Sequence, residues 1–210
     1  MQDHQNQGAG TPLPPETNQT AGAGMRSNKA RKAFSARRAA LMASFGALSY
    51  VVSLLDFPIF PAAPFLKLDF GNVFILLISF LLGPVEGVIV CILKELLRTI
   101  GSSSAGVGEL ANICATSAYI LLPSVVYKFR KGLKTVVPCL IAACFLGTGA
   151  ALITNRFLTF PLYMGDSAAA VFAETFWIIV AFNLIKTAAV SILTLLLYKR
   201  LSNFLKGKKI

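Results

Sequence analysis

Six apolar runs, at roughly 37 to 56, 70 to 83, 84 to 101, 108 to 128, 134 to 162 and 172 to 198, take up most of the chain. A helix needs ~20 residues to cross hydrocarbon. In a bilayer each backbone N–H and C=O has to be satisfied without water, so runs of this length read as helices. The second and third runs abut, and 70 to 93 alone has the length of one helix. Gly83-Pro84 followed by Glu86-Gly87 puts a strong turn signal inside that stretch, which separates them.

Charge parity points the same way. With six spans, three basic clusters share one side, the cytoplasmic one: Arg31, Lys32, Arg37 and Arg38; Lys128, Arg130, Lys131 and Lys134; and Lys199, Arg200, Lys206, Lys208 and Lys209. With five spans the middle cluster would face outward. A net charge of +11, from 20 basic and 9 acidic residues, is therefore explained by membrane orientation rather than by nucleic-acid binding. A chain 55% hydrophobic and 14% charged fits an integral membrane protein. The reading is an all-α integral membrane protein of six transmembrane helices with both termini cytoplasmic. Residues 1–35 form a disordered cytoplasmic tail, 36–205 a six-helix transmembrane substrate-binding domain, and 206–210 a basic cytoplasmic tail. The uncharged polar start and the long first run differ from a cleaved secretory signal, so the first span is expected to stay in the mature protein.

Three segments then lie outside: 57–69, 102–107 and 163–171, the last with Asp166. The first, FPIFPAAPFLKLD, is too apolar for a solvated loop and too rich in proline for a helix. It is expected to fold back over the outer mouth as a cap, the alternative being an interfacial anchor made by Phe57, Phe60 and Phe65.

Polar groups inside a span are expensive and mark function. Lys94, Glu95 and Arg98 fall near the outer end of the third helix, Glu109 and Asn112 in the first turns of the fourth, and Asn155 and Arg156 near the outer end of the fifth. Asn183 and Lys186 share one face of the sixth, three residues apart. All converge on one outer cavity suited to a polar solute from outside. Structural roles stand beside that reading. The arginines and Lys94 can snorkel, Glu95 and Glu109 can pair with Lys94 or Lys186, and the asparagines can bond neighbouring helices. Lys186 lies too deep for easy snorkelling and needs a carboxylate or a ligand.

No HExxH, GxSxG, paired Asp motif or Cys/His couple is present, and His4 lies in the tail, which argues against an enzyme and against a metal site. Cys91, Cys114, Cys139 and Cys144 read as small packing residues. No GxxxxGK[ST] occurs, so any energy from ATP comes from elsewhere. Along the first helix Ala36 and Ala40, and Ala39, Ala43 and Ala47, repeat every four residues with Gly46 nearby, a face that admits close helix approach, either within the protein or by a partner subunit.

FLKLDFGN (65 to 72), LLGPVEGV (81 to 88), VGELAN (107 to 112) and FNLIKTAAVSILTLLLYKRLS (182 to 202), in this order and spacing, resemble the substrate-binding S components of energy-coupling factor (ECF) vitamin transporters, most closely the riboflavin-specific members. The resemblance spans residues 36 to 205. It implies a multi-pass protein of the bacterial cell membrane that captures riboflavin outside and tips to release it inside. A transmembrane coupling subunit and two cytoplasmic ATPases would supply the energy, with no cofactor. The implied ligand-binding residues are Phe65, Leu66, Lys67, Leu68, Asp69, Val107, Glu109, Asn112, Asn155, Asn183 and Lys186. The implied docking face is Ala36, Ala39, Ala40, Ala43 and Ala47. The residues themselves leave the vitamin open, and pantothenate or a thiamine precursor on the same fold, or a non-transport membrane assembly role, are the alternatives.

Overall fold

A computed structural model describes residues 19–102, 106–130 and 132–207. The first part of the expected tail, residues 1–18, lies outside the described residues, as do Ser103 to Ala105 of the second outer segment, Lys131 of the middle basic cluster, and 208–210. The chain forms two compact units, residues 1–37 and 38–210. Helix α1 (Gln19–Ser53) runs through both. Its opening part makes up the described portion of the first unit, so residues 19–35 of the expected tail carry helical backbone. The stretch from Gln19 to Asp56 holds no proline and is rich in Ala, Lys and Arg, which favours helix.

In the second unit, strands β1 (Phe57–Pro58) and β2 (Lys67–Leu68) follow α1, then α2 (Asn72–Leu82), α3 (Pro84–Thr99), α4 (Val107–Phe129) and α5 (Leu133–Thr154). A π-helical turn, Asn155–Thr159, joins α5 to α6 (Phe160–Met164), and a 3₁₀ turn, Gly165–Ser167, leads into α7 (Ala168–Gly207). The α2/α3 break falls at Gly83, whose φ of 134° only glycine adopts readily. Past it the two helices fold back on each other. A Cβ on Gly87 would lie 2.4 Å from the Ser79 Cβ, so glycine there lets the pair approach closely.

Length departs from the six-span expectation. Helix α2, with 11 residues, is about 16 Å long at ~1.5 Å per residue, roughly half a hydrocarbon core. Eight of those residues, Asn72, Val73, Ile75, Leu76, Leu77, Ile78, Ser79 and Phe80, are buried. An all-round apolar helix belongs in a core, and α2 fills that place against α3, α4 and α7. Among the described residues, Val107–Phe129 and the 66-residue stretch Lys134–Lys199 are long and apolar enough to cross a membrane. The longer stretch doubles back at Gly165, and α5 packs against α7.

The outer segment is ordered as a cap with a minimal antiparallel ribbon, Phe57 opposite Leu68 and Pro58 opposite Lys67, which the all-α expectation did not include. Ala63, Leu66 and Leu68 are buried with Phe160, Ala168, Ile179 and Phe182, so the cap packs on α6 and the first half of α7. Phe57 and Phe65 stay about half exposed.

Candidate ligand-binding site

The cap ends at Asp69, and its carboxylate organises the polar interior beside the cap in the second unit. Oδ1 accepts from the Gly71 N–H at 3.1 Å and from Lys94 Nζ at 3.4 Å, while Oδ2 accepts from Lys186 Nζ at 3.1 Å. Burial alone would push this carboxyl up; the charges of Lys186 and Lys94 hold it below the usual carboxylate range. Lys94, only 1% exposed, also donates to Glu95 Oε1 at 2.6 Å and to Asn72 Oδ1 at 3.4 Å. Glu95 Oε1 in turn accepts from Asn112 Nδ2.

Asn112 Oδ1 accepts from Lys186 Nζ at 3.0 Å and from Thr116 Oγ1 at 3.3 Å, and Asn72 Nδ2 donates to Thr116 Oγ1 at 3.0 Å. Two lysines and two carboxylates thus close into one network that joins the cap, α2, α3, α4 and α7. Lys186 has its carboxylate partner, and it is Asp69 rather than Glu95 or Glu109. Arg98 does more than snorkel: it donates to Asp56 and to the Ser53 carbonyl, tying α3 to the end of α1.

Beside this network Asn72, Asn112, Thr116, Tyr119, Asn183, Lys186 and Thr187 surround a cavity with Ala115, Gly147 and Val190. Its free space is about 20 Å³, room for a single water. The wall is two-sided in chemistry, with amides and hydroxyls on one part and small apolar groups on the other. Such a surface suits a ligand with a flat apolar body and hydrogen-bonding edges.

Of the residues singled out from sequence, Asn112, Asn183 and Lys186 meet in this wall, and Asp69 stands one contact behind it. Leu66 and Leu68 are buried in the cap; Phe65 leans edge-on against Phe160 at 5.8 Å. Lys67 reaches outward and pairs with Asp56 at 3.6 Å. Val107 and the buried Glu109 open α4 above Asn112. Asn155 is not among the residues lining the cavity. It is buried, donates to the Ala151 carbonyl at 2.8 Å, and begins the π-helical turn, a distortion often found at functional positions. That turn packs against α4 and α7.

Missed from the sequence were Asn72, Thr116, Tyr119 and Thr187. Thr116 and Thr187 each follow a singled-out asparagine by four residues, so they continue the same helix face, and that spacing was a usable signal. Among the described residues no cluster of His, Cys, Asp and Glu suits a metal ion. Arg156 lies over Phe157 and Phe172, at 5.8 and 5.9 Å. On helix α1 Ala36, Ala39, Ala40, Ala43 and Ala47 are all exposed, whereas Gly46 turns the other way: a Cβ there would lie 3.6 Å from Val90 Cγ1.

The family of ECF transporter substrate-specific components matches residues 37–198. The chain is 35% identical over 175 residues to the riboflavin transporter RibU of Staphylococcus aureus (strain TCH60), covering 81% of this chain and 93% of that protein. It is 28% identical over 187 residues to the riboflavin transporter FmnP of Bacillus subtilis (strain 168), covering 82% and 96%. A solved S component of a bacterial ECF transporter superimposes with a TM-score of 0.73 at 35% identity, covering 82% of this chain and 99% of that one.

Proposed function

The chain belongs to the substrate-specific components of ECF transporters, and on that premise we propose that it is the subunit that captures riboflavin at the outer face of the membrane. The observation that carries the ligand is the cavity itself, where Asn112, Asn183 and Lys186 converge from α4 and α7, with Asp69 of the cap bonded to Lys186. Riboflavin is uncharged, and the network behind the wall balances Lys94 and Lys186 against Asp69 and Glu95, so no ligand charge is called for. Asparagine side chains offer donor and acceptor together for the ring edge and the ribityl chain. The names of the relatives favour riboflavin over another vitamin.

The free space of about 20 Å³ is far too small for a flavin, so binding requires the cap to lift and the wall to part. Phe65 to Asp69, Val107, Glu109 and Asn155 then complete the site around the ligand. The chain crosses the cell membrane six times with both termini inside; α2 is shielded by its neighbours, which is how a helix so short remains within the bilayer. Delivery inward depends on a coupling subunit and two ATPases, docked on the exposed alanines of α1. Small exposed side chains at four-residue spacing admit a partner helix at close range.

Titrating the purified protein into riboflavin and following its fluorescence tests the reading. One-to-one saturable quenching is expected. No quenching, together with calorimetric saturation by pantothenate or a thiamine precursor, would reject the ligand and leave the family in place.

A further inference from the structure

Lys94 is not itself among the residues that line the cavity, yet every polar group on one side of the wall reaches it within two contacts. Its Nζ lies 2.6 Å from Glu95 Oε1 and 3.4 Å from both Asp69 Oδ1 and Asn72 Oδ1. Asp69 passes the constraint to Lys186, Glu95 passes it to Asn112, and Asn72 carries it directly into the wall. An amide has two ends, and a ligand meets whichever end faces it. With the cation against Asn72 Oδ1, its Nδ2 points to Thr116; with the Glu95 carboxylate against Asn112 Nδ2, its Oδ1 points to Lys186.

From this geometry we propose that Lys94 is a positioning residue for the ligand site: it neutralises Asp69 and Glu95 together and so sets which donors and acceptors Asn72, Asn112 and Lys186 present. The inference rests on the riboflavin-binding reading and adds to it a residue that never meets the ligand. Charge arithmetic gives the mechanism. Asp69, Glu95, Lys94 and Lys186 sum to zero, so removal of Lys94 leaves two carboxylates sharing Lys186 and one uncompensated buried charge. Lys186 and Asn112 are then drawn toward the carboxylates and away from the cavity.

The test uses the full chain in detergent: riboflavin affinity by fluorescence quenching, the absorption spectrum of the bound flavin, and the thermal midpoint without ligand. Lys94→Met should bind at least about tenfold more weakly, the loss typical of an unbalanced buried polar group, with a changed flavin band. Lys94→Met with Glu95→Gln restores a net charge of zero, and should recover affinity to within about threefold of the parent. Lys94→Arg, which keeps the charge, should keep most of the affinity. Parental affinity and spectrum in Lys94→Met overturn the proposal. So does a folded double variant that binds no better than Lys94→Met, because charge balance would then not be the cause. Should Lys94→Met fail to fold, the double variant decides alone: near-parental binding supports the role, and weak binding at a parental thermal midpoint removes it. A parent that binds no riboflavin would instead bring down the functional reading on which this one stands.

Discussion

Helices α4 and α7 carry two clusters of opposite character, a buried one on the side of the cap and a partly buried one toward their C-terminal ends. On the cap side, outer in the proposed topology, Asn112 and Lys186 belong to a network of ion pairs and amides beside a cavity. On the opposite side, inner in that topology, Tyr127 and Tyr198 share a hydroxyl hydrogen bond, and Phe80 of α2 packs against both, with ring centroids 4.9 and 6.4 Å away. The inner cluster is apolar bodies closed by a single polar contact, an arrangement that stabilises by packing. The outer cluster contains four buried charges, and such groups contribute little net stability compared with apolar packing, because desolvation offsets their attraction. The difference teaches where polar groups are kept at a cost in stability: the side that is poorer as a core is the side on which the proposed ligand site lies. In the proposed topology the alanine face of α1 belongs to the cytoplasmic side, so its role separates from that of the ligand site.

If that division is right, the largest separation of effects comes from α1. Replacing Ala39 and Ala43 with leucine should bring riboflavin uptake to background in cells that supply the coupling subunit and ATPases, while the isolated protein binds as before. Loss of binding together with uptake would mean that the face packs inside the protein, and parental uptake would mean that it docks nothing.

Within the outer half, Lys186→Met removes a cation from the cavity wall and leaves Asp69 with Lys94 alone. Affinity should weaken by about 1–3 kcal/mol. Binding at parental strength in a folded variant would reduce Lys186 to an interhelical tie. A smaller effect is expected at Asn155, whose donor already satisfies the Ala151 carbonyl and which lies off the cavity wall. Asn155→Ala should weaken binding by about 1 kcal/mol, through a contact made only once the ligand is seated.

The smallest change belongs to the inner half and reverses the pattern. Tyr127→Phe deletes one hydroxyl of the pair and should lower stability by about 1 kcal/mol, read as a lower thermal midpoint, with riboflavin affinity unchanged. An affinity loss there would show that the two clusters are coupled rather than independent.

Much of this was legible in the residues. The Gly83-Pro84 break, the cap at 57–69, and Asn183 and Lys186 on one helix face all appear where the pattern placed them. These depend on neighbours close in sequence: a positive φ, a cluster of prolines, a spacing of three. Helix α2 was harder, because an apolar run has the same composition whether lipid or protein surrounds it; only packing against α3, α4 and α7 shows that protein does. The π-helical turn at Asn155 was likewise invisible, since nothing in NRFLT distinguishes an extra residue in the turn from ordinary helix.

What the sequence by itself determined is therefore the inventory: apolar helices, a proline-rich cap, three basic clusters, and a short set of polar groups too costly to bury without purpose. What only the tertiary structure decided is the pairing. Asp69 takes Lys94 from 25 residues away and Lys186 from 117 away, and Asn112 bridges Lys186 and Glu95. Helical periodicity fixes which face a side chain occupies, whereas the partner it meets depends on how far one helix slides and turns against the next. A shift of one helical turn, ~5.4 Å, would hand Lys186 a different partner without altering a residue.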